Sequence, residues 1–401
     1  MRLRKRLLEA PLDVADARGN PTVYEVAERA GVSTASVSRV LAGHDRVRPD
    51  TRERVLRAVA ELGYVPSGAA QDLAGRRTAV LGLCFPDLIG DQDIVDSDAM
   101  YWYDEVIRGM ERAARRNGYA LLIAASHASD DINLVLTVAG RCDGLVILGG
   151  TAPLATLEHI ATRVPVVLLA APPAAAERPG LLDHLYVANA SGMRQLTEHL
   201  LDVHGYRDLA FVAGPEDSAD SDARLDGFRA ALSERGMAGA DGPVLRGDFT
   251  TAGGVAVVGS LLDRRAVPRA LVCANDQTAI GAMSALSRAG LRVPADVAVT
   301  GFDGVQIGRH LHPGLTTVAQ PMRELGETAV RLLQRRIGGP PPPRGVARAV
   351  TPEAGRAAED IELPVRLDLR GSCGCPEPAR VDQVGLAPGS GLGGVADKDG
   401  G

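Results

Sequence analysis

Three stretches of this chain carry residue types at spacings that chemistry could use. The first is Ser33-Thr34-Ala35-Ser36-Val37-Ser38-Arg39, where hydroxyls and one guanidinium alternate with apolar positions directly after Gly31. Hydroxyls and the planar guanidinium fork suit acceptor-rich or anionic partners. The second is Tyr101-Trp102-Tyr103, three adjacent aromatics in a chain that is 3% aromatic. They suit ligand stacking and core packing alike. The third is Cys373-Gly-Cys375, which could bind metal or cycle redox states if a second Cys or His pair stood near it at zinc spacing. No such pair is visible in the sequence, so the two cysteines read as structural or incidental, and no metal is expected. The eight histidines form no His-Glu-x-x-His arrangement, and neither a Gly-x-Ser-x-Gly nor a Walker loop occurs. No catalytic residue, no cofactor and no enzyme activity are therefore expected.

The elements that must position these residues change character near Thr78. Before it, residues 22–63 read as three short helices. Val23, Val26, Ala27 and Ala30 share one face of the first, and Gly31 follows where a helix end tolerates positive φ. Ser33 can cap a second helix whose apolar face is Val37, Val40 and Leu41. Pro49 opens a third that buries Val55, Ala58, Val59 and Leu62. Helix, glycine turn and helix at this spacing make a helix-turn-helix. After Thr78, aliphatic runs such as TAVLGLCF, GLVILGG, VPVVLLAA, DLAFVAG, ALVCAN and DVAVTGFD alternate with amphipathic helical stretches. Continuous apolar strands between helices indicate parallel sheets covered on both faces. About nine strands, with chain crossings near Asn189, Asp303 and Gln320, fit two doubly wound lobes with a cleft better than one sheet. Ligands in such folds bind at the carboxyl ends of the strands.

Composition narrows the class. A chain of 401 residues with 45% apolar content supports a large domain and a smaller one. Five scattered cysteines suit a reducing compartment, and the N-terminus lacks the apolar core of a signal peptide. These point to the cytoplasm. Residues 1–78 hold 14 Lys and Arg against 10 Asp and Glu, so of the formal charge of −6 the remainder of the chain carries −10. The front end is the electropositive one, a weak pointer to polyanion binding.

The stretch from Thr22 to Leu83 resembles the lactose-repressor (LacI/GalR) family almost without gaps. AGVSTASVSRVL (30–41) and ELGYVP (61–66) carry the likeness. The resemblance implies that Thr22, Thr34, Ala35, Ser36, Ser38 and Arg39 face DNA. A recognition helix enters the major groove by its N-terminal residues, so Thr34, Ala35 and Arg39 meet base edges while Ser36 and Ser38 meet phosphate. Arg39 can donate twice to a guanine; the alternative is an ion pair with Glu28 or Asp45. SGAAQDLA (67–74) matches the family's hinge helix. Such a segment is too short to hold a helix alone. On DNA, Leu73 would wedge between base pairs in the minor groove, with Ala70 and Gln71 nearby.

The remainder resembles the family's sensor domain, itself similar to periplasmic sugar-binding proteins. ARLDGFRAAL (223–232), ALVCANDQTAIGAMSAL (270–286) and the stretch from Val293 to Pro321 carry this likeness. It implies that Arg224, Asn275, Asp303 and Gln320 touch an effector, with Phe249 as the aromatic over it. These types suit a polyhydroxylated ligand. Asp303 and Asn275 could instead cap the segments that follow them. Trp102 and Tyr103 are further candidate contacts, and core packing is their other use.

The expected architecture is an N-terminal all-α helix-turn-helix domain plus an α/β sensor of two doubly wound parallel-sheet lobes. The expected boundaries are an extension at 1–20, the DNA-binding domain at 21–66, hinge helix and linker at 67–77, the sensor at 78–373 and a disordered tail at 374–401. Function follows as a repressor that binds a pseudopalindromic operator as a homodimer under control of a small effector, a sugar or sugar derivative. A non-sugar ligand such as a nucleobase is the alternative effector. A transport solute-binding protein is a further alternative, opposed by the DNA-reading head.

Overall fold

The computed structural model describes residues 22–41, 47–62, 77–86, 100–126, 132–173, 180–237, 244–338 and 357–376. The N-terminal extension, the hinge with Ala70, Gln71 and Leu73, the acidic stretch before Met100 and the tail beyond Pro376 lie outside the described residues.

The head has the three helices its periodicity predicts: α1 (Val23–Ala30), α2 (Thr34–Leu41) and α3 (Pro49–Leu62). Val26, Ala27 and Ala30 of α1 meet Val37 and Val40 of α2 and Val55 and Ala58 of α3 in one small core. Gly31 ends α1 at φ 61°, a left-handed conformation that a side chain disfavours. An ion pair from Arg29 to Glu61, 2.6 Å long and exposed, ties α1 to α3.

The chain divides into two compact units. The first draws on the described residues of 1–189, 216–223 and 321–365, the second on those of 190–215, 224–320 and 366–401. The chain therefore crosses at Asn189 and at Gln320, as expected. It also passes briefly into the first unit at Glu216–Ala223, does not cross at Asp303, which lies inside the second unit, and crosses for the last time between Val365 and Arg366.

Each unit is a six-stranded sheet. In the first, the strands are β1 (Val80–Pro86), β2 (Ala120–Ser126), β3 (Gly144–Leu148), β4 (Val166–Leu169), β5 (Leu182–Val187) and β11 (Asp360–Leu363), in the order β11-β5-β4-β3-β1-β2. All five pairings are parallel. In the second, they are β6 (Leu209–Ala213), β7 (Leu245–Arg246), β8 (Ala270–Cys273), β9 (Ala298–Asp303), β10 (Thr316–Ala319) and β12 (Arg366–Asp368), in the order β12-β10-β9-β8-β6-β7. Only the β10–β12 pair is antiparallel. Central strands β3, β4, β6, β8 and β9 are buried along nearly their whole length, which is why they read as unbroken apolar runs. The expected count was low because β7, β10, β11 and β12 are short. Two of them, DIEL and RLD, are half-exposed edge strands carrying charge.

The helices that cover these sheets are α4 (Met100–Arg116), α5 (Ile132–Ala139), α6 (Leu154–Ala161), α7 (Asn189–Asp202), α8 (Ala219–Ser233), α9 (Thr251–Asp263), α10 (Asp276–Arg288) and α11 (Met322–Ile337). In the first unit α4 and α11 pack backbone to backbone. A Cβ on Gly109 would stand 2.2 Å from the Arg323 carbonyl, and one on Gly326 2.2 Å from the Val106 carbonyl. Backbone cannot retreat as a flexible side chain can, so overpacking here is costly. Gly326→Ala should destabilise the first unit by about 1–3 kcal/mol, read as a lower urea midpoint at unchanged slope.

Candidate functional site

In the head, capping fixes where α2 begins. The Ser33 hydroxyl accepts the Ser36 N–H at 3.2 Å and lies 2.9 Å from the Ser36 hydroxyl. Thr34 and Ser36 are half-buried in the first turn, whereas Ala35 and Arg39 are exposed. Four residues apart, those two share a face of the helix, away from buried Val37 and Val40. Among the described residues Arg39 has no ion-pair partner. The alternative of a bridge to Glu28 is not realised, and Asp45 lies outside the described residues. Ser38 belongs to the same helix. Thr22, expected at DNA, is the N-cap of α1: its hydroxyl accepts the Glu25 N–H at 3.4 Å, and the Glu25 carboxylate accepts the Thr22 N–H at 2.5 Å. The Thr22 N–H and the Thr22 hydroxyl, which donates to the same carboxylate at 3.0 Å, hold the Glu25 carboxyl below the usual range.

In the second unit, the sequence-predicted residues converge on one edge of the sheet. Gln320 follows β10, Asp303 ends β9, Asn275 follows β8 and Phe249 follows β7, so all stand at the carboxyl ends of parallel strands. The Gln320 amide donates to Asp303 Oδ1 at 2.6 Å. Arg224 on α8 is 3.8 Å from the same oxygen, donates to the Ala274 carbonyl at 2.7 Å and lies 4.0 Å above the Phe302 ring. Arg224, Asp303 and Gln320 are all nearly buried. A guanidinium and a carboxylate at this spacing offer donors and acceptors side by side.

Asn275 is more constrained. Its side-chain oxygen caps α10 by accepting the Thr278 N–H at 3.0 Å, and its amide donates to the Phe249 carbonyl at 2.8 Å and to Gln277 at 3.2 Å. Both amide hydrogens are thus committed within the protein. Asn275 holds the turn that presents Phe249, which adopts a φ of 67° with its ring laid on Gly214, where a Cβ would sit 2.2 Å from Cζ.

The residue that organises this edge is Asp276, which the sequence offers only as a cap beside Asn275 and not as a site residue. Asp276 is fully buried. One carboxylate oxygen accepts the N–H groups of Gly304 and Val305, each at 2.8 Å, and the other accepts the Thr317 hydroxyl at 2.6 Å. Burial pushes its carboxyl up to about 7, while those three donors and Arg370 pull it down. Asp276 thereby clamps the chain immediately after Asp303, which sits at a φ of 129°, a region costly for a residue with a side chain. Its only sequence signal is adjacency to Asn275 at a helix start.

In the first unit, Tyr103 is packing. It is 8% exposed, its ring lies 4.9 Å from Phe85, and burial raises its phenol strongly. Trp102 is half-exposed and meets Tyr103 edge-on at 5.3 Å. The pair so splits, with Tyr103 supporting the ring that solvent can reach.

Although no second pair lies at zinc spacing from Cys373-Gly-Cys375 in the sequence, the fold brings one near it in space. His199 and His204, from the end of α7 and the turn after it, lie beside both cysteines. No described helix is long and apolar enough to cross a membrane.

Replacing Asp276 with alanine strands two buried N–H donors and releases the turn after Asp303. It should cost about 2–5 kcal/mol by urea unfolding, whereas Asp276→Asn, which keeps one acceptor, should cost less.

Residues 22–67 match the model of bacterial regulatory proteins of the lacI family, and residues 197–373 match that of a periplasmic binding protein-like domain. The HTH-type transcriptional regulator CelR of Thermobifida fusca is 36% identical over 328 residues, covering 81% of this chain and 94% of that protein. A crystal structure of the lac repressor dimer bound to operator and the anti-inducer ONPF is similar with a TM-score of 0.68 and 30% identity, covering 88% of this chain and 99% of that one. A complex of the transcriptional regulator CelR with cellobiose is similar with a TM-score of 0.62 and 31% identity, covering 88% and 100%. The full-length likeness joins the capped helix-turn-helix and the two parallel sheets in one lineage: the chain belongs to the lacI family of bacterial regulatory proteins.

Proposed function

We propose that this regulator binds a pseudopalindromic operator as a homodimer through α2, and that a polyhydroxylated effector, a sugar or sugar derivative, governs that binding. The observation that carries the DNA half is the exposed Ala35–Arg39 face of a helix whose start is capped by Ser33. Helices of this kind enter the major groove by their N-terminal residues. Arg39 donates to guanine O6 and N7. Thr34 and Ala35 make small apolar contacts with base edges, and Ser36 and Ser38 position the helix on phosphate. Thr22 contributes by fixing α1 through its cap. The proposed minor-groove contacts of Ala70, Gln71 and Leu73 fall outside the described residues. The operator and sugar assignments rest on kinship with the lac repressor bound to operator and with CelR bound to cellobiose.

For the effector, the supporting observation is the convergence of Arg224, Asp303 and Gln320 at strand ends beside the Phe249 turn. Asp303 accepts ligand hydroxyls, Arg224 donates to them, and Phe249 covers an apolar sugar face. Asn275 acts as a positioning residue for Phe249. Trp102 is a further proposed effector contact, with Tyr103 behind it. The relatives act as transcriptional regulators, and the proposed role requires no catalysis.

In a gel-shift on the promoter of the regulator's own operon, Arg39→Ala should lose about 1–3 kcal/mol per half-site, roughly 5- to 150-fold. Unchanged affinity and sequence preference would remove Arg39 from the base edge. A panel of sugars and nucleosides, followed by the emission of Trp102, the chain's single tryptophan, identifies the effector class. Asp303→Asn should then weaken the responding sugar on the order of tenfold or more, the cost of one charged hydrogen bond, with operator affinity intact. Equal sugar affinity in that variant counts against the assigned edge.

A further inference from the structure

We propose that His199, His204, Cys373 and Cys375 form a tetrahedral zinc site that locks the last described residues of the chain onto the end of α7. The four candidate ligand atoms all lie within 4.8 Å of one another. His199 Nε2 is 3.1 Å from His204 Nε2, 3.3 Å from Cys375 Sγ and 3.8 Å from Cys373 Sγ, and His204 Nε2 is 3.5 Å from Cys375 Sγ. Zinc bonds of about 2.05 Å to nitrogen and about 2.3 Å to sulfur define a tetrahedron with edges of roughly 3.4 Å between nitrogens and roughly 3.6 Å between nitrogen and sulfur. Those four separations scatter about these edges, and the remaining pairs stay within 4.8 Å.

The donor set selects the metal. Two thiolates and two imidazoles in tetrahedral array suit zinc. Four protein ligands leave no open position, which marks a structural site and not a catalytic one. On binding, each thiol releases its proton to solvent, and the two thiolates neutralise the dication.

The surroundings hold the ligands in place from both sides. Cys373 ends, and Cys375 follows, a short 3-10 turn, Gly371–Cys373, stitched to the second unit's sheet: the buried Ser372 hydroxyl donates to the Val299 carbonyl and accepts the Thr316 N–H at 2.9 Å. Gly374, at φ 105°, turns the chain so that both sulfurs face the histidines; a Cβ there would stand 3.0 Å from the Tyr206 hydroxyl and 3.3 Å from His204 Nδ1. That hydroxyl donates to the Cys373 carbonyl at 2.8 Å. The Tyr206 ring stacks on His204 at 5.3 Å, with the Arg269 guanidinium 4.4 Å over it. Cys373 is buried, while Cys375 and both histidines are partly exposed, which gives the ion a way in.

The site ties two segments that each follow a crossing of the chain. His199 and His204 come after the crossing at Asn189, and the cysteines come after the crossing at Val365. Zinc would close that part of the second unit as a covalent staple closes a loop.

The test uses the full chain, purified without a metal-binding tag under reducing conditions. Elemental analysis should find zinc equimolar with protein. After chelator treatment, added Co²⁺ should give the intense visible bands of tetrahedral cobalt with sulfur-to-cobalt charge transfer, displaced by added Zn²⁺. Cys375→Ser, at a partly exposed position, and His204→Gln should each lose the charge-transfer band or weaken it, and a chelator should lower the thermal midpoint of the parent and not of the variants. Failure of the parent to take up either ion, a weak octahedral cobalt spectrum, or a chain isolated two hydrogens lighter as a Cys373–Cys375 disulfide would overturn the proposal. The cobalt spectrum of the parent decides even where a variant fails to fold.

Discussion

The buried carboxylate of Asp276 is the constraint on which the second unit's working edge depends. It stands at the first position of α10 and reaches two strands at once, taking N–H groups from the chain after β9 and a hydroxyl from β10. A charge in that position is expensive unless each oxygen is satisfied, and three donors meet that condition. Gly301 leaves room for it, since a Cβ there would stand 2.2 Å from the carboxylate. With the backbone after Asp303 pinned, Asp303 is held in a strained conformation between Gln320 and Arg224. Asn275, one residue before the clamp, holds the Phe249 turn. The geometry offered to a ligand is therefore set by a residue that sits behind it.

Much of this was legible in the sequence where the controlling physics is local. The first helix of the head begins and ends, and the second begins, at the residues that cap them, because Thr22, Gly31 and Ser33 act within one turn of their own positions. The central strands were equally plain, since burial on both faces leaves no polar position to break the run. The edge strands β11 and β12 escaped because an edge needs only backbone pairing, and Asp360-Ile361-Glu362-Leu363 and Arg366-Leu367-Asp368 carry as much charge as a loop. Missing them also misplaced one crossing. Asp303 looked like a lobe boundary because it ends a strand, whereas the chain crosses where β11 hands over to β12.

Individual side chains were harder to read, and the reason is the same in each case. Type and resemblance name which residues meet, and geometry assigns how. Tyr103 and Trp102 are neighbours of similar chemistry, yet one packs on Phe85 and the other stays half-exposed. Asn275 has the amide expected of a ligand contact, but capping takes its oxygen, and the Phe249 carbonyl and Gln277 consume its hydrogens. Asp276 carried no motif at all, because its three donors come from positions 28, 29 and 41 residues away.

The His and Cys cluster carries that principle furthest. Metal sites are recognised in sequence when both ligand pairs lie in one short segment, because a small domain must fold around its ion. Here the sheet, not the ion, brings the two pairs together: α7 ends with His199, the turn after it offers His204, and the chain's return delivers Cys373 and Cys375 more than 160 residues later. A His-x4-His and a Cys-x-Cys that far apart have no spacing rule to satisfy. Because the fold supplies the proximity, zinc has only to lock a closure already made, and its loss should loosen this corner without dismantling the sheet.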